Sequence, residues 1–203
     1  MKFPLHQPTL KLLEGLSGIE LGSASHNPFG VNAINVAPKF DEQFYTDSQF
    51  SMGEIPTKID LYGDAAHIPV ADHSQDFILS SHVFEHIPNP ILALLEWQRV
   101  IKPGGYVVMI VPQPDALLGD NRPLSSYEKI IQAYLENWTI ETSPPGSTYV
   151  DHYWKFTSTT LRRFLEKLQV GIEGLPRINW QFMGIEDPDS KVGNGFWLAY
   201  RVP

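Results

Sequence analysis

The segment that decides the fold is Pro90–Val111, which reads PILALLEWQRVIKPGGYVVMIV. Apolar residues recur in its first half with the period of a helix, and Pro90 stands where a helix begins. The four residues 102–105, Lys-Pro-Gly-Gly, stop that helix, and the apolar run Tyr106–Val111 predicts a buried strand. A helix followed closely by a wholly apolar strand is typical of a parallel sheet with both faces covered.

Similar alternation extends outward from this segment in both directions. Further strands are predicted at Gly18–Gly22, Val31–Val36, Lys58–Tyr62, Asp76–Ser81, Ile178–Ile185 and Phe196–Val202. Further helices are predicted at Thr9–Leu16, Ser126–Glu136 and Thr157–Leu168, the last with Thr157 or Ser158 as its N-cap. The last two strands are separated only by a turn, which indicates an antiparallel strand at the end of a doubly wound α/β sheet.

Length and composition fit one domain covering residues 1–203, because 203 residues with 42% hydrophobic content suffice for one α/β core. Residues 112–156 are rich in proline and aromatic side chains, and we expect them to form an insertion over the carboxyl edge of the sheet. The aromatic residues Trp138, Tyr149, Tyr153 and Trp154 are expected to pack as the core of that insertion.

Charge and residue content exclude several classes of protein. The formal net charge of −8 argues against nucleic acid as the main ligand. The absence of cysteine excludes disulfides, thiolate nucleophiles and cysteine-bound zinc. The N-terminal residues lack a signal-peptide core and no apolar run approaches the ~20 residues of a membrane span, so we expect a cytoplasmic protein.

Small and polar residues follow the predicted strands. Glu20 ends the first strand, and the residues Gly22, Ser23 and Ala24 after it allow a ligand to approach the backbone closely. Asn35 ends the second strand, where a nucleoside-binding sheet normally carries an acid that accepts hydrogen bonds from ribose hydroxyls.

The third and fourth strands end in similar residues. Asp64 is able to accept a hydrogen bond from the exocyclic amine of an adenine, while the N–H of Ala65 donates to a ring nitrogen. Ser81 and His82 follow the fourth strand and open the segment HVFEHIP at 82–88.

The order and spacing of these segments, together with HVFEHIP and the RVIKPGG at 99–105, resemble the class I S-adenosylmethionine-dependent methyltransferases, methyltransferase type 11-like, over residues 15–112. The resemblance implies a Rossmann-like, seven-stranded sheet and methyl transfer from S-adenosylmethionine to an oxygen or nitrogen of a small molecule, with S-adenosylhomocysteine as product. The chain departs from the family at His26–Phe29, where the family usually has a glycine-rich loop, and at Asn35.

The resemblance also assigns roles to the residues at the strand ends. Glu20 would hold the ammonium group of the cofactor, and Gly22, Ser23 and Ala24 would face its methionine part. Asn35 would bind the ribose, Asp64 and Ala65 the adenine, and Ser81 and His82 would lie beside the sulfonium.

Three alternatives remain open at this level. His82, Glu85 and His86 match the H-x-x-E-H pattern of a zinc hydrolase, but that site needs a stable helix. Pro88 and Pro90 leave little room for one, so we expect Glu85 and His86 to pack in a loop and assign no metal ligand.

His152 is a candidate general base, or else a half-buried histidine in an aromatic cluster. Asn35 and the altered loop are also compatible with a catalytically degenerate binding or scaffolding protein.

Overall fold

The computed structural model describes residues 3–23, 29–39, 42–51, 56–148 and 152–203. Its strands are β1 Ser17–Leu21, β2 Asn32–Ala37, β3 Leu61–Tyr62, β4 Gln75–Ser81, β5 Ile101–Pro112, β6 Gln181–Glu186 and β7 Gly195–Arg201. They form one seven-stranded sheet in the order β3-β2-β1-β4-β5-β7-β6. β7 runs antiparallel to β5 and β6, and the other neighbouring pairs are parallel. The predicted fold class, with its antiparallel last strand, is confirmed.

The helices begin at residues that satisfy their free backbone N–H groups. They are α1 Gln7–Leu12, α2 Glu42–Ser51, α3 Pro90–Val100, α4 Tyr127–Leu135 and α5 Ser158–Val170, with short 3-10 helices at Phe84–His86 and Pro114–Ala116. The Asn89 side chain caps α3, and Thr157 caps α5 through a reciprocal capping box with Thr160. No helix in the described ranges has the length and apolarity that crossing a membrane requires.

Two apolar cores cover the two faces of the sheet. On one face, α3, α4 and α5 pack over Ile19, Ile78 and Met109. On the other face, Leu13 and Phe29 pack over alternate strand residues, among them Leu79 and Val108. Side chains of successive strand residues point to opposite faces, so Glu20 and Asn35, which pair in register, share the face of Leu79.

The buried residues of α4 and the aromatic residues near the end of the insertion belong to the first of these cores. Trp138 and Trp154 are buried and stack with ring centroids 6.1 Å apart, and Tyr153 is also buried. The predicted packing of these aromatics is confirmed, whereas Tyr149 lies outside the described residues. The helix α4 lies against α3, on the face of the sheet that the first core covers.

The helix α2 was not predicted, because its exposed face carries Phe44 and Phe50 and no apolar stripe marks its buried side. It is anchored instead by a polar residue. Gln49 is buried, its amide donates to the Ser23 carbonyl at 2.8 Å, and its carbonyl accepts from the Thr57 N–H at 2.8 Å. A helix held by one buried amide gives no periodic apolar signal.

Several strand boundaries differ from the prediction by one to five residues, and β3 and β5 do so for local reasons. β3 is only two residues long, because the Asp60 carboxylate accepts from the Asn35 N–H and displaces a backbone partner there. β5 begins at Ile101 and includes the Lys-Pro-Gly-Gly stretch, with an irregularity in its pairing with β4. Gly104 has φ +89°, and a Cβ on Gly105 would lie 2.4 Å from the Asp76 carbonyl oxygen, so both positions need glycine.

Candidate functional site

The predicted strand ends meet along one edge of the sheet. Register pairs Glu20 of β1 with Asn35 of β2, and Ser81 follows the residue of β4 that pairs with Leu21. Asp64 lies two residues beyond the last paired residue of β3. These four residues therefore lie at the carboxyl edge of four adjacent strands, where open α/β sheets bind their ligands.

Glu20 is a buried acid at the centre of that edge. Its side chain is among the buried polar groups, and burial raises its pKa to about 7, partly offset by the positive charge of Lys191. Within the described ranges no hydrogen bond to its carboxylate contributes to that pKa. A buried carboxylate of this kind is stabilised by a cation.

Lys191 was missed by sequence reasoning because it comes from the turn between β6 and β7. It is 2% exposed, its Nζ donates to the Pro4 carbonyl at 3.1 Å, and it lies 4.4 Å from the centre of the Phe29 ring. Asp189 holds the turn by accepting from the backbone N–H groups of residues 191, 192 and 195. The turn thus brings a permanent positive charge towards Glu20 from the far end of the chain.

The turn after β1 needs a glycine at its first position. Gly22 has φ +62°, and a Cβ there would lie 2.7 Å from Cγ2 of Val83 in the loop after β4. Ser23 is buried, and Gln49 binds its carbonyl. Gln49 is therefore a further residue that shapes the predicted methionine-binding turn. Ala24, like the rest of 24–28, lies outside the described residues.

The side chain of Asn35 makes a hydrogen bond that requires an amide. Its Nδ2 donates to the Lys58 carbonyl at 3.0 Å, while its backbone N–H donates to the Asp60 carboxylate at 2.9 Å. An aspartate at this position would bring a carboxylate against the Lys58 carbonyl oxygen and beside a second carboxylate. The departure from the pattern of the resembled family thus has a structural reason. Among the described residues none donates to the side-chain Oδ1 of Asn35, which is able to accept a further hydrogen bond.

The predicted adenine-binding residues lie in a turn after β3. Asp64 accepts from the Ala66 N–H at 2.7 Å, and the carbonyl of Ala65 accepts from Nε1 of Trp97 at 2.8 Å. Trp97 lies on α3, so the apolar helix that decides the fold also fixes this turn.

A charged pair on α3 fixes the rest of that connection. Arg99 donates to the carbonyls of Ile68 and Val70, both at 3.0 Å, and to the Asp72 carboxylate at 2.6 Å. Glu96 accepts from the Ile68 N–H at 2.7 Å and binds Arg99. Sequence reasoning treated this helix as packing, although its polar residues position the candidate adenine site.

The chain turns sharply after β4. Ser81 is buried, and His82 has φ +53°, a left-handed conformation that is costly for a residue with a side chain. The His82 N–H donates to the Ile110 carbonyl of β5 at 2.8 Å, which holds this strained turn in place.

A cluster of ionisable side chains follows that turn. The 3-10 helix Phe84–His86 has only three residues, so the stable helix of a zinc hydrolase is not formed; Glu85 is packed as expected, whereas His86 is exposed. Glu85 is 1% exposed, and Oε1 lies 3.9 Å from His82 Nδ1 and 3.7 Å from His86 Nε2. The rings of His86 and His152 lie 4.3 Å apart. Burial raises the pKa of Glu85 to about 8, opposed in part by its own backbone N–H.

The insertion is tied to this cluster through Arg122. Its guanidinium binds the Asp120 carboxylate through Nε and Nη2, and Nη2 also donates to the His152 carbonyl at 2.9 Å. Lys155 donates to the carbonyls of residues 120 and 122. Hydrogen bonds from Arg122 lower the pKa of Asp120 to about 2. These contacts fix the backbone from which His152 projects.

A surface cavity of about 570 Å³ lies elsewhere. Its lining residues include Leu10, Glu14, Gly30 and Asn32, from the end of α1 and the start of β2. Parallel strands start at the edge opposite to the one where they end, so this cavity is remote from Glu20 and Glu85.

Known proteins share this sequence pattern and this fold. Residues 19–109 match a family described as Methyltransferase domain. A demethylmenaquinone methyltransferase of Bacillus velezensis is 32% identical over 74 residues, which cover 36% of this chain and 32% of that protein. An uncharacterized methyltransferase of Mycobacterium bovis is 41% identical over 80 residues, covering 39% of this chain and 30% of that protein. The matches thus span about a third of each of these relatives.

The fold extends the similarity over nearly the whole chain. The crystal structure of a S-adenosylmethionine-dependent methyltransferase from Aquifex aeolicus superposes with a TM-score of 0.54 at 16% identity, covering 98% of this chain and 91% of that one. The single seven-stranded sheet and the antiparallel β7 agree with the architecture that the sequence predicted. Residues 19–109 therefore match the Methyltransferase domain family, and the whole chain shares the fold of the Aquifex aeolicus protein.

Proposed function

We propose that this protein transfers a methyl group from S-adenosylmethionine to an oxygen or nitrogen of a small-molecule acceptor. The observation that carries the proposal is the alignment of Glu20, Asn35, Asp64 and Ser81 along the carboxyl edge of four adjacent strands. In sheet order, the residues along this edge are Asp64, Asn35, Glu20 and Ser81. The first three suit the adenine, the ribose and the ammonium group of the cofactor, respectively.

The buried carboxylate of Glu20 fits the cofactor's ammonium group, because burial raises its pKa to about 7 despite the charge of Lys191, so a further cation in contact with it would stabilise the ionised form. The glycine at position 22 keeps the turn beside it free of side-chain bulk. Asn35 accepts from the ribose with its amide oxygen, and Asp64 and Ala65 read the adenine from a turn that α3 fixes.

On the acceptor side, the chain contributes mainly position and shielding from water. The cofactor supplies an electrophilic methyl group when bound, so in-line placement of the acceptor is the main task. We propose that the ends of the insertion 112–156 form the acceptor pocket and that His152 takes the acceptor's proton, which would add about 10²- to 10⁴-fold to the rate. His152 is half-buried beside His86 and Glu85.

The direct test is isothermal titration calorimetry of the purified protein with S-adenosylmethionine and S-adenosylhomocysteine. We expect one site per chain for each, with Glu20→Gln much weaker and Glu14→Gln, an exposed acid on the neighbouring segment, unchanged. No detectable heat and no thermal shift at millimolar cofactor would reject the methyltransferase proposal in favour of a binding or scaffolding protein.

A further inference from the structure

Three side chains beyond the tip of β4 converge on one point. Glu85, His86 and His152 each offer an oxygen or ring nitrogen, and these three atoms all lie within 4.8 Å of one another. Glu85 and His86 come from the 3-10 helix after β4, whereas His152 comes from the end of the insertion. The cluster therefore exists only in the folded chain.

Glu85 is the member of this cluster that a bound cation would stabilise most. It is 1% exposed, and in the described part of the chain neither of its carboxylate oxygens accepts a hydrogen bond from another residue. The imidazole nitrogens of His82 and His86 lie at 3.9 Å and 3.7 Å, beyond hydrogen-bond distance. Buried carboxylates are normally paired or bind a metal ion.

The backbone around the cluster is held firmly in place. The Glu85 carbonyl accepts from the N–H groups of Tyr153 and Trp154 at 2.8 Å and 3.2 Å. Trp154 is fully buried, and its Nε1 donates to the Ile87 carbonyl at 2.6 Å. Arg122 binds the carbonyl of His152 itself. Such outer contacts orient ligands at metal sites.

We propose that Glu85, His86 and His152 bind a first-row transition-metal dication of the zinc or ferrous-iron class. Two imidazoles and one carboxylate suit these ions, whereas Mg²⁺ and Ca²⁺ prefer oxygen ligands. Zinc ligands at about 2.0–2.2 Å from the ion lie roughly 3.4 Å apart, so the side chains would close by about 1 Å on binding. This site differs from the zinc-hydrolase pattern, because Glu85 is a ligand here and His152 replaces His82.

The ion would lie next to the proposed methyl-transfer site, since His82 directly follows the tip of β4. Three protein ligands leave a coordination position for another oxygen. The further role of that position, holding an acceptor hydroxyl, rests on the proposed function. The metal site itself rests only on the geometry of Glu85, His86 and His152. If the metal were bound, His152 would be a ligand, and the ion would instead lower the pKa of the acceptor hydroxyl, which would release its proton to water.

The test uses the full chain, freed of metal with EDTA and desalted. Zn²⁺ titrated calorimetrically should bind with one equivalent per chain, and Co²⁺ should give the visible absorption bands of a protein-bound ion. His86→Ala, His152→Ala and Glu85→Gln should each weaken Zn²⁺ binding at least about 100-fold, and Mg²⁺ should give no heat where Zn²⁺ saturates.

The matched control is His73→Ala. His73 binds the Ile101 carbonyl through Nδ1 before the start of β4, at the opposite edge of the sheet. Its Zn²⁺ affinity should stay within about twofold of the wild type. Equal affinity in the wild type and the double variant His86→Ala/His152→Ala overturns the site, as does Mg²⁺ binding of similar strength.

S-adenosylhomocysteine titrated into the same metal-free samples checks their fold and separates the two proposals. Cofactor binding without one-equivalent Zn²⁺ binding overturns the metal site and leaves methyl transfer standing. Zn²⁺ binding without cofactor binding supports the metal site and counts against methyl transfer. Since His152 is half-buried and outside the apolar cores, His152→Ala tests the site even where Glu85→Gln fails to fold.

Discussion

Two buried glutamates lie at the carboxyl edge of the sheet, Glu20 at the tip of β1 and Glu85 just beyond the tip of β4. Burial raises the pKa of both, to about 7 and about 8. They differ in their neighbours: Glu20 faces the permanent charge of Lys191, whereas Glu85 faces imidazoles that are charged only when protonated. Equal burial therefore suits different cations, an ammonium group at Glu20 and a metal ion shared with histidines at Glu85.

The largest expected effects come from replacing the two glutamates one at a time, because each variant should lose a different ligand. Glu85→Gln should weaken Zn²⁺ binding at least about 100-fold and leave S-adenosylhomocysteine affinity within about twofold. Glu20→Gln should weaken cofactor binding by about 10- to 100-fold, the loss of a hydrogen bond to a charged group, and leave Zn²⁺ affinity unchanged. Calorimetry on both variants with both ligands measures this. If either variant loses both ligands equally, the two carboxyls belong to one site.

The next largest effect concerns Arg122, which supports the backbone of the proposed metal ligand His152. Arg122→Ala should lower the free energy of unfolding by about 2–3 kcal/mol, because it leaves the buried Asp120 carboxylate without its partner. Arg162→Ala, which breaks an exposed ion pair with Glu166, should cost less than about 1 kcal/mol. Denaturant unfolding monitored by circular dichroism compares them.

Lowering the pH should reduce the difference in unfolding free energy between the wild type and Arg122→Ala. The pKa of Asp120 is lowered to about 2, so its ion pair stabilises the fold above the ordinary value of 3.8 and is lost as pH falls towards 2. The difference between wild type and Arg122→Ala should therefore shrink over that window. A difference that stays constant would mean that Arg122 acts through its carbonyl contacts alone.

A smaller effect concerns Glu20 and the pH dependence of cofactor binding. Because burial raises the pKa of Glu20 to about 7, the free protein must ionise this group to bind an ammonium. Cofactor affinity should rise up to about tenfold per unit as pH increases from about 5.5 to 7, below the range where an α-amino group loses its proton. Lys191→Met removes the charge that lowers this pKa, so the midpoint should move to higher pH. A flat profile in the wild type would contradict the role given to Glu20.

The smallest effect is expected at Asn35. Asn35→Asp should fail to tighten cofactor binding, with affinity within about threefold, and should cost about 1–2 kcal/mol of stability, because it sets a carboxylate against the Lys58 carbonyl. Titration calorimetry and thermal unfolding of the one variant measure both. Markedly tighter binding would instead indicate a site that has decayed from an acidic ancestor.

The strand ends and the main helix were predictable because each depends on neighbours in the chain. Pro90 and the apolar period after it specify the helix, and the apolar run Tyr106–Val111 specifies the centre of β5. Glu20, Asn35 and Asp64 follow from the rule that residues after parallel strands share one edge. α2 escaped prediction because one buried amide, Gln49, anchors it.

The sequence by itself determined the fold class, the order of strands and helices along the chain apart from α2, and which residues end the strands. Those features follow from local periodicity and from the turn residues between apolar runs. Only the tertiary structure brought Lys191 towards Glu20 and His152 beside Glu85 and His86. Such pairings join distant parts of the chain, and they depend on burial and backbone hydrogen bonds that no local pattern encodes.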